Sequence, residues 1–216
     1  MKSIKILLLF VLLVTCNCWS QAKREELLEA AKQNAYKEDF TAAIRYYDTI
    51  ISLYPNEPTA YYERGILKAN ALDYKGSITD FTRQIKQDAT VADYFFLRGI
   101  SRDKLKQHQA AIADFTLAIR LEPLNSDAYE LRGVNKAALN QFEAAEKDFT
   151  LAIQKRLDNA KAYADRAELE FRKKQYQLAL QDCAQALAYD SAQPKALQIK
   201  EKTNAYLSHK KAGRIK

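Results

Sequence analysis

The sequence predicts an all-α protein, and three observations carry that reading. Glycine and proline are scarce, 5 and 4 in 216 residues, and hydrophobic residues make up 48% of the chain. Ala, Leu, Lys, Gln and Glu abound, a composition that favours long helices with short connections over a sheet-rich fold. The third observation is internal: Gly65, Gly99 and Gly133 stand 34 residues apart, and the same step either way meets Ala31 and Ala167, also small.

That register defines five units, starting near Arg24, Pro58, Ala92, Ser126 and Ala160. Four residues before each small position sit Leu27, Tyr61, Phe95, Tyr129 and Tyr163; nine after it sit Phe40, Tyr74, His108, Phe142 and Tyr176. Ala43, Ser77, Ala111, Ala145 and Ala179 follow, and four residues later come Tyr47, Phe81, Phe115, Phe149 and Cys183. Pro55 and Pro123 close the first and third units. Each unit holds two apolar-periodic stretches of about 14 residues joined by a short polar turn, which is the pattern of an antiparallel helix pair. Lys37-Glu38-Asp39 and Leu139-Asn140-Gln141 are two of those turns. The small residue lets the first helix approach its partner closely; glycine there costs about 1 kcal/mol of helix propensity relative to alanine, which packing must return. One pair cannot bury both faces of its aromatics, so the units are expected to stack, with a cap after the last. Pro194 opens that cap, a helix carrying Leu197, Ile199, Tyr206 and Leu207 among charges, which frays after Gly213.

Residues 1–22 differ in kind. Lys2 and Lys5 precede an apolar run from Ile6 to Val14, then a more polar stretch ending in Ser20-Gln21-Ala22. This reads as a secretory signal peptide, since a spanning helix needs about 20 apolar residues. Export to a bacterial-type periplasm is the expectation. The alternatives are an uncleaved anchor, or acylation at Cys16, where Leu13-Val14-Thr15-Cys16 resembles a lipobox with Thr15 out of pattern. Removal of the leader leaves Cys183 as a lone thiol, so no internal disulfide is expected and the fold must rest on packing. Of the net charge of +7, the leader holds +2 and the segment from Lys195 onward +6, leaving about −1 for the body.

Reactive groups do not converge. His108 occupies a slot filled elsewhere by Phe or Tyr and reads as a stand-in for that ring, and His209 lies alone in the basic tail. Cys183 takes the slot of Tyr47, Phe81, Phe115 and Phe149, which makes it a small buried apolar residue before a nucleophile. Carboxylates lie at helix-surface spacing without a Gly-rich phosphate loop or a metal-ligand cluster. No catalytic residue, metal, cofactor or small-molecule substrate is expected.

The register of an aromatic, a small residue, Ala, a Phe four later and a closing Pro resembles the tetratricopeptide repeat, over Arg24 to about Ser191. Arg in place of Leu before the small residue departs from the pattern. So do Asn34, Lys68, Arg102, Lys136 and Glu170 in place of Tyr, and Ser191 in place of the last Pro. The resemblance implies a right-handed solenoid of five helix pairs, 24–57, 58–91, 92–125, 126–159 and 160–192, with a capping helix and basic tail over 193–216. It also implies that the first helix of each pair lines a concave face that takes a protein or peptide partner. On that basis the groove residues are Leu28, Lys32 and Tyr36, then Tyr62, Ile66 and Asn70, then Phe96, Ile100 and Lys104. Glu130, Val134 and Ala138 follow, then Ala164, Glu168, Phe171 and Arg172, giving an apolar stripe rimmed by Lys32, Lys104 and Glu130. The clamp by which some family members grip C-terminal carboxylates needs Lys and Asn where Leu28, Ile66, Phe96 and Ile100 stand.

Arg64, Arg98, Arg132 and Arg166 are each followed sixteen residues later by Asp80, Asp114, Asp148 and Asp182, whereas the first unit has Ala30 and Tyr46. In an antiparallel pair mid-helix faces mid-helix, so these are expected to be structural ion pairs within units and not part of the groove. The tail residues Lys195, Lys200, Lys202, Lys210, Lys211, Arg214 and Lys216 read as a solubilising cap. Contact with an anionic membrane surface comes second, and nucleic acid, which export would remove from reach, last.

Overall fold

The computed structural model describes residues 20–57 and 59–213, and every regular element among them is helical. Residues 1–19 of the leader with Cys16, Pro58 and the last tail residues Arg214 and Lys216 lie outside the described residues. Helix α1 is described over 20–36, so Ser20-Gln21-Ala22 are already helical. There follow α2 (Phe40–Leu53), α3 (Ala60–Asn70), α4 (Tyr74–Gln87), α5 (Ala92–Lys104), α6 (His108–Leu121) and α7 (Ser126–Ala138). Then come α8 (Phe142–Lys155), α9 (Ala160–Arg172), α10 (Tyr176–Tyr189) and α11 (Pro194–Lys211). The chain forms two compact units, one ending at Ala89 with α1 to α4 and one beginning at Thr90 with α5 to α11.

In the second unit each helix packs on the next, and the first helices of successive pairs also touch, α5 on α7 and α7 on α9. Helix α11 packs against both α9 and α10, taking the place a sixth first helix would have. In the first unit Leu27 and Ala31 of α1 join Ala43, Tyr47 and Ile50 of α2 and Ala60 and Leu67 of α3 in one core cluster.

The close approach of paired helices is steric. A methyl group added at Gly99 would sit 2.8 Å from the Phe115 ring, one at Gly133 2.7 Å from Phe149, and one at Gly65 3.1 Å from Phe81. Those three rings are almost wholly buried. In the fifth repeat the first helix gains a methyl at Ala167 and the second gives up its ring for Cys183, and both are fully buried. Burial pushes the Cys183 thiol up to about 11, with Asp182 adding to the effect, so it packs as a neutral thiol.

The turn inside each pair repeats as strictly as the helices. Glu38, Leu72, Lys106, Asn140 and Lys174 all take positive φ, between 57° and 64°. Each donates its N–H three residues back, and the next residue donates five back, as in Leu72 N–H to Ala69 O (3.0 Å) and Asp73 N–H to Lys68 O (2.8 Å). This is the Schellman ending, which usually places glycine or asparagine at the left-handed residue. Only Asn140 follows that preference. Asp39 and Asp73 then cap α2 and α4 by accepting from the N–H of Ala42 and Gly76.

Three substitutions test this geometry. Gly133→Ala is expected to destabilise the chain by about 1 kcal/mol or more in urea denaturation, because overpacking outweighs the helix-propensity gain; Gly65→Ala, with its wider gap, should be closer to neutral. Leu72→Gly, at an exposed left-handed position, is expected to raise stability by about 1 kcal/mol, visible as a higher denaturation midpoint.

Candidate interaction surface

Four arginines lie one residue before the small position and are carried by packing toward the second helix. Arg64 Nε and Nη2 donate to Asp80 at 2.9 and 2.6 Å, and Arg98 to Asp114 at 3.0 and 2.7 Å. Arg132 donates to Asp148 at 2.9 and 2.7 Å, and Arg166 to Asp182 at 2.6 and 2.9 Å. All four aspartates are buried, and each guanidinium also lies over the ring of Tyr61, Phe95, Tyr129 or Tyr163, 5.3 to 5.7 Å from its centre. The remaining nitrogen of Arg64, Arg132 and Arg166 ties its repeat to the preceding one: Arg64 to Asp48 (2.7 Å), Arg132 to Thr116 Oγ1 (3.3 Å) and Arg166 to Thr150 Oγ1 (3.1 Å).

A second cation completes the pair in the middle repeats. Lys68, Arg102 and Lys136, one helical turn beyond each arginine, reach the same aspartates at 2.9, 2.8 and 2.7 Å. The fifth repeat has Glu170 there. Its carboxyl is buried, its Oε2 has no hydrogen-bond partner among the described residues, and burial together with the nearby Asp182 pushes it up to about 7.

The concave face of the second unit is lined by first helices and by α11. An open concavity of about 610 Å³ has Phe96 and Ile100 of α5, Glu130 and Leu131 of α7, and Lys161 of α9 in its wall. A neighbouring concavity shares Glu130 and Leu131 and continues along Val134, Ala164 and Asp165 to Pro194 and Lys195. A smaller one of about 160 Å³ is walled by Val134, Ala138, Glu168, Leu169 and Arg172.

The nominated residues divide. Ile100 and Val134 are half-buried and face the concavities, and Lys104 and Ala138 are exposed. Phe96 faces the concavity but also sets its ring edge-on to Phe115 at 5.9 Å. Arg172 pairs with Glu168 at 2.8 Å. Phe171 packs on Tyr176 at 5.6 Å and against the cluster around Cys183, a core contact in place of a groove position. In the first unit Tyr36 is 91% exposed, Lys32 and Asn70 are exposed, and Leu28 packs against the core cluster. Tyr62 stands edge-on to Phe81 at 6.1 Å, and Ile66 is half-buried.

Glu130 corrects the expected charged rim. It is only 6% exposed and lies on the floor, hydrogen-bonded to the carboxyl of Asp165. Burial and that neighbour push Glu130 up to about 8, so the two carboxyls share a proton near neutrality. Lys195 is a second correction: it is not a free tail charge but pairs with Asp165 and, at 3.3 Å, with Glu168. Asp165 was missed because its 34-residue column, Glu29, Glu63, Leu97, Leu131 and Asp165, mixes carboxylates with leucines and so singles out no one position. His108 Nδ1 lies 2.8 Å from Asn135 Oδ1, which joins the third repeat to the fourth. Among the described residues no group of three His, Cys, Asp or Glu is placed to hold a metal ion.

Stacked helix pairs presenting a side-chain-lined concave face define a helical repeat protein. Residues 92–123 and 132–195 match the family described as Tetratricopeptide repeat, and the chain is a tetratricopeptide-repeat protein. Its fold resembles the solved solenoids of that family. The crystal structure of MamA protein is 20% identical, with 80% of this chain and 94% of that chain covered and a TM-score of 0.71. MamA 41-end from Desulfovibrio magneticus RS-1 is 20% identical over 80% of this chain and 97% of that one, with a TM-score of 0.74. YrrB, titled a TPR protein with an unusual peptide-binding site, is 20% identical over 81% and 90%, with a TM-score of 0.67. No curated protein matches the sequence significantly. The fold supports a protein-interaction scaffold in general.

The Glu170 carboxyl yields a pH prediction. Its folded pKa stands above the ordinary 4.5, so the folded chain holds this proton more tightly than the unfolded chain does. Its stabilising contribution is full below about pH 4.5 and declines as pH rises toward 7, by at most about 1.4 kcal/mol per unit. Urea denaturation between pH 5 and 8 should show a shallower decline for Glu170→Gln than for the natural chain. At pH 8 Glu170→Lys, which restores the cation of the three middle repeats, should be the most stable of the three.

Proposed function

We propose that this protein is an interaction scaffold of a bacterial-type cell envelope that binds a peptide or helix of a partner protein on its concave face. The observation that carries the reading is the concavity in the second unit, where Phe96, Ile100 and Leu131 present half-buried apolar surface beside charged groups. Half-buried apolar side chains on a concave wall gain most from a partner that covers them. Selectivity comes from the surrounding charges, which penalise an ill-matched ligand by desolvation. The basic, apolar and then small-residue order of the leader supports export to the periplasm, with a retained anchor or acylation at Cys16 as the alternatives. Self-assembly or service as an accessory subunit of an envelope complex would use the same face.

Ile100 makes the cleaner test, because Phe96 also packs on Phe115. Ile100→Asp is expected to leave the helical circular dichroism and the thermal midpoint nearly unchanged while reducing by at least tenfold the recovery of whatever protein the natural chain captures from envelope extract. Equal recovery would move the partner off this face. Size measurement of the natural chain in solution tests self-assembly.

A further inference from the structure

Charge in the concave wall of the second unit is unevenly matched. Six carboxylates surround it: Asp127, Glu130, Asp158, Asp165, Glu168 and Asp190. Four cations answer them. Arg156 is taken by Asp127 at 2.6 Å, Arg172 by Glu168 at 2.8 Å, and Lys195 by Asp165 and Glu168. Lys161 acts on Glu130 only at a distance, and among the described residues Glu130 forms no ion pair. A nearly fully buried carboxyl on a cavity floor, whose one close polar partner is another carboxyl, lacks a cation. The apolar Phe96, Ile100 and Leu131 stand beside it in the same wall.

We propose that the second unit's concave face takes a basic amphipathic segment of a partner protein. One lysine or arginine of that segment docks at Glu130 and Asp165, while its apolar residues cover Phe96, Ile100 and Leu131. The inference rests on the concave-face reading above and adds the chemistry of the occupant. An acidic segment or a free C-terminal carboxylate would meet the excess of carboxylates instead. A guanidinium fits best, because its fork of donors can satisfy two carboxyl groups at once.

Docking exchanges one cation for one proton. In the free protein the proton shared by Glu130 and Asp165 suppresses their mutual repulsion; the incoming cation takes over that task, and the proton leaves to solvent. The charged groups around Glu130 are Asp127 on its own helix, Lys161 and Asp165 on α9, and Lys195 on α11 behind Asp165. The 156–158 turn adds Arg156 and Asp158, and the 190–193 turn adds Asp190, while α5 contributes only Phe96 and Ile100. Because binding favours the ionised pair, affinity should climb as pH rises toward 8, by no more than about tenfold per unit.

The test uses the natural chain and a display library of random twelve-residue peptides. Enriched peptides should carry Lys or Arg among apolar residues. For the strongest of them, made synthetically, Kd should tighten several-fold between pH 6 and 8. Glu130→Gln should weaken it at least tenfold at pH 8 and flatten the pH dependence, and replacing the peptide's basic residue by glutamine should do the same on the unaltered chain. Enrichment of acidic peptides, or a basic peptide indifferent to both replacements, overturns the proposal. A selected peptide that is lost with Ile100→Asp but kept with Glu130→Gln sinks the proposal and leaves the concave-face reading standing. One indifferent to Ile100→Asp, or no enrichment at all, sinks both.

Discussion

The contact on which the structure depends is the meeting of a glycine with a phenylalanine ring. At Gly99 and Gly133 the helix of one partner passes so near the ring of the other that no side chain fits between them, and at Gly65 the gap is only slightly wider. That proximity fixes the rotation of the first helix, and the rotation assigns its faces. Phe95 and Gly99 turn to the partner helix, Arg98 is brought against Asp114, and Phe96 and Ile100 are left on the concave side. Stacking then repeats the assignment, so one steric choice per unit orders both the core and the surface offered to a partner.

Charge is buried on a scale that would be costly without the same register. Each aspartate accepts two hydrogen bonds from an arginine, and three of them accept a further one from a second cation, so the desolvated carboxylate is fully answered. The fifth repeat departs twice, with Cys183 for the ring and Glu170 for the cation. The first departure is compensated by Ala167, which fills the space. The second is compensated by a proton, which is a weaker and conditional partner.

Repetition decided what could be read from the chain alone. The helix pairs and their contacts recur at one spacing, so each copy checks the others. The left-handed turn residues recur just as regularly, yet Glu38, Leu72, Lys106 and Lys174 share no side-chain chemistry that favours positive φ; the backbone position is imposed by the pairs on either side. The polar floor of the concave face was illegible for the opposite reason. Glu130, Asp165 and Lys195 come from three helices and do not recur together in any other repeat, so no periodicity marks the set, and Lys195 stood among tail lysines whose count suggested a different purpose. Phe171 shows the limit of carrying positions over from a pattern: the last repeat packs on α11, and a nominal groove position there becomes core.

Helix α11 closes the stack and also supplies Lys195 to the concave wall. A helix made after the repeats is thus needed to balance the charge of a helix made earlier. Until it emerges, α9 carries Asp165 and Glu168 without that lysine beside an already acidic wall. A chain cut short by proteolysis or early termination just before Pro194 would lack Lys195 and present an altered concave face. The charge presented by the last repeats is therefore set by a helix that does not itself belong to them.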